Sequence, residues 1–257
     1  LMNAVYGFLL VFLKALKELK PDFVAATFDL AAPTFRHKAF KGYKAKRPKA
    51  PDELYQQLPR VKEVLAAFNI PIYEKEGFEA DDVIGTIAVK APKKQVYPKI
   101  ETIILSGDMD NLQLVNEQTK VYTMRKGIKD TVLYDIKKVQ ERYDGLKPCQ
   151  LQDYRGLRGD ASDNIPGVTG IGEKTAIQLL KDFGDLENLY QEIAKDTEKS
   201  KKIKPSILQK LKDYKEQAFF SKELAKIHCD VPFDFNLKNC EFGRYEPEKV
   251  REVFKKY

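Results

Sequence analysis

The segment from residue 159 to residue 180, GDASDNIPGVTGIGEKTAIQLL, constrains this chain more than any other. Asp160 and Asp163 stand three positions apart, so one helical turn would place both carboxylates on the same side. A glycine-rich turn and the start of an apolar-periodic helix follow, with Gly167, Gly170, Gly172, Lys174 and Thr175. The acids suggest a divalent-metal site, and the glycines suggest a turn whose backbone amides approach a phosphodiester.

Composition narrows the partners and the metal. The 257 residues carry a formal net charge of +7, which favours nucleic acid, although a solvated lysine-rich surface is the alternative. With only two histidines, a metal would be held mainly by oxygen, as Mg²⁺ or Mn²⁺ is. The three cysteines form no CxxC motif and suggest reduced thiols of a cytoplasmic protein. The apolar start is too short to span a membrane and predicts an amphipathic helix capped at Asn3.

Short apolar strands alternate with helices through residue 135, which predicts an α/β fold with a mostly parallel central sheet flanked by helices. We expect strands at residues 23–28, 71–73, 102–105, 120–123 and 131–133, and helices over 3–20, 52–69 and 80–89. Beyond residue 136 the pattern is helical, with a last short helix at 246–256. We therefore predict an α/β core over 1–145 that includes a basic segment at 31–51, and a helical region over 146–257.

Acidic residues cluster at four predicted element ends. They are Asp29; Glu79, Asp81 and Asp82; Asp108 and Asp110; and Asp160 and Asp163. Taken singly, each cluster is better explained by a helix cap or a turn. All four converging would repel one another unless divalent cations neutralised them. Two cations about 4 Å apart are a recurring device for cleaving phosphodiesters, so the coincidence favours a metal site.

The basic segment FRHKAFKGYKAKRPK, residues 35–49, interleaves cations with aromatic rings. Its lysines and arginines could neutralise phosphates while Phe40 and Tyr43 stack on exposed bases. A solvated basic loop is the alternative. The turn near Gly172 does not match GxxxxGK[ST], which excludes a Walker-type nucleotide site.

The strings FDLAAPTFRH, YKAKR, FEADD, SGDMD and GDASDNIPGVTGIGEKTA occur in this order. Together they resemble the 5′-nuclease domain of bacterial DNA polymerase I, within the flap endonuclease family. The resemblance implies a helical arch over the active site and a helix–three-turn–helix motif at 159–183. It also implies hydrolysis of DNA at or near a 5′ end with two Mg²⁺ (or Mn²⁺) ions.

The same resemblance implies residue roles. The eight acids above would be metal ligands, and Lys44 and Arg47 would steer the scissile phosphate. Arg36 would contact a phosphate and Tyr43 would stack on a base. The glycine turn would hold duplex DNA, with a K⁺ ion at the loop, through Gly167, Gly170, Gly172, Lys174 and Thr175. Expected partners are DNA with a 5′ flap, nick or RNA primer and a covalently attached polymerase domain, in a monomer.

One departure from the family pattern affects catalysis. The family begins with a strand and an Asp-Gly motif, whereas this sequence opens at LMNAVYGF, so the first strand and its aspartate are missing from it. Two hypotheses follow: a structure-specific 5′–3′ exonuclease and flap endonuclease of replication and repair, or a DNA-junction binding module with impaired catalysis. A ribonuclease of the related acid-cluster fold class is disfavoured, because that class lacks the helix–three-turn–helix.

Overall fold

The computed structural model describes residues 2–92, 100–124, 127 and 130–257. Within them the helices are α1 Asn3–Leu19, α2 Phe35–Ala39, α3 Asp52–Tyr55, α4 Leu58–Ala67, α5 Ala80–Lys90, α6 Ile136–Arg142, α7 Leu151–Arg158, α8 Glu173–Phe183, α9 Leu186–Ala194, α10 Pro205–Asp213, α11 Lys215–Ala225 and α12 Pro247–Lys256. The strands are β1 Ala26–Thr27, β2 Ile72–Tyr73, β3 Thr102–Leu105, β4 Thr119–Met124 and β5 Thr131–Tyr134. Short 3₁₀ helices cover Met109–Leu114, Pro148–Gln150, Ser200–Lys202 and Leu237–Cys240.

The α/β fold with helices against the strands is confirmed, but the sheet is in two parts. β1 pairs in parallel with β2, while β3 pairs in parallel with β4 and β4 antiparallel with β5. Within the described ranges no ladder joins β1 to β3, so the expected single central sheet is divided. Both parts keep parallel pairs, so the carboxyl ends of β1 and β3 stay available for a site.

Three of the four hydrophobic clusters found among the described residues hold these layers together. One packs α1, α4 and α12 around Val64, and a second packs α5 and the three-stranded sheet around Leu112 and Val121. A third lies wholly within residues 146–218 and joins α7 to α11 around Leu180 and Leu211. The helical region therefore has its own core.

Element boundaries differ from the sequence expectation at two helices. α1 begins at Asn3 with Met2 as its N-cap, so Asn3 lies inside the helix. The expected helix over 52–69 is broken between Tyr55 and Leu58, giving α3 and α4. No helix in the described part of the chain has the length and apolar character needed to cross a bilayer.

The basic segment at 31–51 is helical only in α2 and then continues as turns through residue 47. Lys44 takes a left-handed backbone conformation with φ 54°, and its amide donates to the carbonyl of Asp163 at 2.9 Å. The side-chain amide of Asn164 donates to the carbonyl of Gly42 at 2.8 Å. These contacts fold the segment onto the acidic residues of the 159–183 region.

Candidate active site and nucleic-acid interface

Strand ends and helix starts position the first acids. Asp29 follows β1, and its Oδ1 accepts a hydrogen bond from the amide of Ala80 at 2.8 Å, at the start of α5. Glu79 is the N-cap of α5. Asp108 follows β3 and caps the 3₁₀ helix that begins at Met109, where it accepts from the amide of Asp110 at 2.8 Å. Ligand sites of parallel sheets lie at this edge, beyond the carboxyl ends of the strands.

The surroundings of Asp81 disfavour the charged form of its carboxyl group. Its burial raises the pKa to about 6, and the negative charges of Asp108, Asp29 and Glu79 add to that rise. The side-chain amide of Asn111 counteracts it by donating to Asp81 at 3.0 Å. In the residues that the structure describes, Asp29, Asp81 and Asp108 take part in no ion pair. This corner of the site therefore has uncompensated negative charge.

Arg155 on α7 joins two of the predicted ligands. It donates to Asp110 at 2.7 Å and lies 3.2 Å from Asp160. Burial raises the pKa of Asp110 against the opposing charge of Arg155, whereas hydrogen bonds from Ser162 and the charge of Arg155 hold the pKa of Asp160 below its usual value despite burial. Sequence reasoning missed Arg155, because nothing in its local pattern indicated that α7 packs beside the 3₁₀ helix.

Lys44 and Arg47, the side chains expected to steer the phosphate, form ion pairs with Glu79 and Asp163. Lys44 Nζ donates to Glu79 at 2.7 Å and lies 4.0 Å from Asp163. Arg47 forms an ion pair with Asp163. The hydroxyl of Tyr43 donates to Glu79 and Asp163 at 3.1 and 3.2 Å. Tyr43 is only 4% exposed, so the expected base stacking is not available to this side chain in this conformation.

Asp82 and Arg36 form a buried pair with each other. Nη1 and Nη2 of the guanidinium donate to the two carboxylate oxygens, at 2.7 and 2.8 Å, and Asp82 is 0% and Arg36 3% exposed. Arg36 also donates to the carbonyls of Leu224 and Lys226 at 2.9 and 2.6 Å. The amides of Glu79 and His228 donate to Asp82. This structure thus corrects two expectations: Asp82 has no oxygen free for a metal, and Arg36 has no surface for a phosphate.

The oxygen ligands of the site suit hard divalent cations, but in this structure the acidic side chains do not surround a common point. A cleft is lined by Glu79, Asp81, Asp108, Asp110 and Asp163 together with Tyr43 and Lys44. Among the described residues, no three acidic, histidine or cysteine side chains converge closely enough to hold a metal ion. Lys44, Arg47 and Arg155 instead neutralise four of the carboxylates. Oxygen donors are what a divalent cation requires, and it would relieve the repulsion that raises the pKa of Asp81, provided that Lys44, Arg47 and Arg155 move aside.

The three glycines of the turn have different environments. Gly167 is buried, with φ 63°, and its amide donates to the hydroxyl of Ser221 at 3.0 Å. Gly170, with φ 79°, and Gly172 are both exposed. Gly172 is the N-cap of α8 and has no side chain to cap the first amides of that helix. The amides at Gly172 and beyond, beside the exposed Lys174 and the half-buried Thr175, therefore suit a phosphate, whereas Gly167 serves packing.

We expect Gly167→Ala to unfold this motif. A Cβ atom at this position would lie 2.2 Å from the backbone nitrogen of Gly159, which cannot move aside. Left-handed backbone adds about 1–2 kcal/mol for a residue other than glycine, and overpacking adds about 1–3 kcal/mol. Urea titration should give a loss of about 3 kcal/mol in the free energy of unfolding. Gly172→Ala is the control, because a Cβ there meets nothing within 4 Å.

Comparisons with known proteins identify the family of this chain. The family model for the 5′-3′ exonuclease N-terminal resolvase-like domain matches residues 1–144, and that for the 5′-3′ exonuclease C-terminal SAM fold matches residues 146–248. DNA polymerase I of Bacillus subtilis strain 168 is 45% identical over 253 residues, which is 98% of this chain and 28% of that protein. The chain thus spans just over a quarter of the length of such relatives.

Two solved structures share the fold. T5 5′-exonuclease with bound divalent metal ions (zinc) has a TM-score of 0.68 at 17% identity, covering 98% of this chain and 89% of that one. A phage T5 D15 flap endonuclease in a pseudo-enzyme-product complex with DNA and metal ions has a TM-score of 0.66 at 18% identity, covering 99% and 90%. At such identities these structures show the fold alone. The two family models show that the chain belongs to the 5′-3′ exonuclease family and is a nuclease domain of that family.

Proposed function

We propose that this chain is a structure-specific 5′–3′ exonuclease and flap endonuclease that hydrolyses DNA phosphodiesters with two divalent metal ions. The observation that carries the proposal is the uncompensated acidic corner formed by Asp29, Asp81 and Asp108 beside Glu79. The T5 flap endonuclease that shares this fold was solved with DNA and metal ions, which are the partners proposed here. The polymerase relatives support an attached polymerase domain. In such a cytoplasmic protein this nuclease would act on flaps, nicks and RNA primers in replication and repair.

Each side chain would have a separate task. Mg²⁺ or Mn²⁺ ions would be held by Asp29, Glu79, Asp81, Asp108, Asp110, Asp160 and Asp163, and bound there they would acidify a water molecule and stabilise developing negative charge. Lys44 and Arg47 would leave the carboxylates and bind the scissile phosphate. The amides at the start of α8, with Lys174, would grip the phosphate backbone without reading sequence. Asp82 and Arg36 would hold α5 and α2 together.

Magnesium-dependent release of product from a 5′-flap duplex tests this function. We expect Asp108→Ala to reduce cleavage about a thousandfold, because loss of a metal ligand removes several kcal/mol of transition-state stabilisation. Asp234→Ala is the matched control, since Asp234 is exposed and does not line the acidic cleft. If Asp108→Ala, folded like the parent, cleaved as well as the control, the metal assignment would be wrong.

A second candidate is a DNA-junction binding module with little catalysis. The observation that favours it is that Lys44, Arg47 and Arg155 neutralise carboxylates that metal ions would need. Flap binding without product at any magnesium or manganese concentration would support this candidate. Cleavage that appears with either ion would exclude it.

Lys44→Met should separate metal binding from catalysis. The ammonium lies 2.7 Å from Glu79 and competes with a cation for that carboxylate. Its removal should tighten Mg²⁺ binding severalfold in calorimetric titration. Cleavage at saturating Mg²⁺ should nevertheless fall about 100- to 1,000-fold, as expected when a charge that stabilises the transition state is lost. Lys46→Met changes the same charge at an exposed position of the same loop and should alter neither quantity. Weaker Mg²⁺ binding in Lys44→Met would contradict the competition.

A further inference from the structure

Two backbone carbonyl groups of the glycine turn accept hydrogen bonds from side chains. The side-chain amide of Gln217 on α11 donates to the carbonyl of Gly167 at 2.5 Å. The ammonium of Lys210 on α10 donates to the carbonyl of Gly170 at 3.3 Å. Backbone carbonyl oxygens of this kind are the ligands that a K⁺ ion at the turn would use. In this structure the carbonyl of Gly170 therefore already has a cationic partner, the side chain of Lys210.

Both α10 and the glycine turn position the contact between Lys210 and Gly170. α10 is fixed by Leu211, which is fully buried and whose carbonyl accepts from the hydroxyl of Tyr190 at 3.0 Å. On the turn, a Cβ atom at position 170 would lie 2.3 Å from Lys210 Nζ, so a side chain there would displace the ammonium from its present position. The φ of 79° at Gly170 turns this carbonyl toward α10 in a conformation that other residues adopt rarely.

The ammonium has spare hydrogen-bonding capacity. Lys210 is only partly buried, and it forms no ion pair within the described ranges. An ammonium has three donors, and the carbonyl of Gly170 uses one of them. The remaining two can bind an anionic oxygen next to the turn. By contrast, Lys222 on the neighbouring α11 is fully engaged by Asp153 and Glu187, so it has no such capacity.

We propose that Lys210 is a tethered cation that serves the glycine turn in place of a bound monovalent ion and contacts a DNA phosphate there. The inference rests on the proposed function, because it needs DNA at the turn. Its consequence is specific: DNA binding does not require K⁺, and it depends on this one lysine. A chain that held an exchangeable ion at the turn would show the opposite behaviour on both counts.

The experiment measures the dissociation constant of a fluorescent 5′-flap duplex by anisotropy, without divalent metal so that no cleavage occurs. Parent, Lys210→Met and Lys212→Met are compared in KCl and in tetramethylammonium chloride of equal concentration, since the larger ion cannot be held by carbonyls. Lys212 lies two residues along the same helix, which points it to a different face, and it is exposed. Thermal unfolding of all three proteins verifies that each is folded.

We expect parent affinity to be the same in both salts. Lys210→Met should bind about eightfold more weakly at 0.1 M salt, and the slope of log affinity against log salt should fall by about 0.9, the effect of one lost phosphate contact. Lys212→Met should match the parent. If parent affinity falls in tetramethylammonium chloride, or if Lys210→Met matches Lys212→Met, the inference is overturned. If the parent does not bind the flap duplex at all, the proposed function fails, and this inference fails with it.

Discussion

Asp81→Asn is expected to make the metal-free protein more stable and to abolish most of its activity. The parent carboxylate is half-buried, has a pKa of about 6, and faces the charges of Asp108, Asp29 and Glu79. An amide of the same shape keeps the hydrogen bond from Asn111 and removes the repulsion. At pH 8 the free energy of unfolding should rise by about 1–3 kcal/mol, given 1.36 kcal/mol for each pKa unit. Flap cleavage should fall about a thousandfold.

The pH dependence of stability gives a second readout for Asp81. Its pKa is raised from 3.8 in the unfolded chain to about 6 in the folded one, so the folded state binds the proton more tightly. The stability contributed by the protonated form is present below pH 4 and is lost as the pH rises to 6. Urea titrations across this range should show the parent losing stability relative to Asp81→Asn. Asp234→Asn, an exposed control, should follow the parent.

Two outcomes would contradict this prediction. A lower free energy of unfolding for Asp81→Asn at pH 8 would mean that the carboxylate is compensated in the folded protein. Unchanged cleavage would mean that the acidic corner is not the metal site. Stability and cleavage should change together, because the same negative charges that destabilise the metal-free site would attract a divalent cation.

The sequence predicted the acids at strand and helix ends because those positions follow from local pattern. Asp29 and Asp108 lie where the apolar runs of β1 and β3 stop, and Glu79 precedes the apolar periodicity of α5. β3 occupies the expected residues 102–105. Contacts between distant parts of the chain could not be predicted in this way. The pairing of Arg36 with Asp82 spans 46 positions, and it depends on how α2 packs against α5.

The same limit explains the residues that were missed or misassigned. Arg155 joins Asp110 across 45 positions, and Lys210 reaches Gly170 across 40. Tyr43 is aromatic and lies in a basic segment, a pattern typical of base stacking, yet its hydroxyl is bonded to Glu79 and Asp163. Residue type suggests what a side chain can do, whereas burial and partners decide which of those roles it has in the folded chain.

Asp82→Asn is expected to have the opposite effect to the substitution next to it. Burial alone would raise the pKa of Asp82, but the hydrogen bonds and charge of Arg36 hold it below its usual value. Without the carboxylate, a guanidinium that is 3% exposed keeps Glu79 at 3.4 Å as its nearest anion. Breaking one side of a buried ion pair costs about 3–5 kcal/mol. For a chain of this size that corresponds to a fall of about 10–15 °C in Tm.

Measuring metal binding on the same variant decides what Asp82 does. If it stabilises the fold through Arg36, folded Asp82→Asn should bind Mg²⁺ with parental affinity in calorimetry at low temperature. The double variant Arg36→Met/Asp82→Leu should regain much of the lost stability, because an apolar pair can replace a buried ion pair. Parental stability together with lost Mg²⁺ affinity would instead make Asp82 a ligand. Asp81 and Asp82 are adjacent in sequence, but only Asp81 faces the other acids. For this reason Asp81→Asn should raise the free energy of unfolding, whereas Asp82→Asn should lower it. Only the substitution of Asp81 should weaken metal binding.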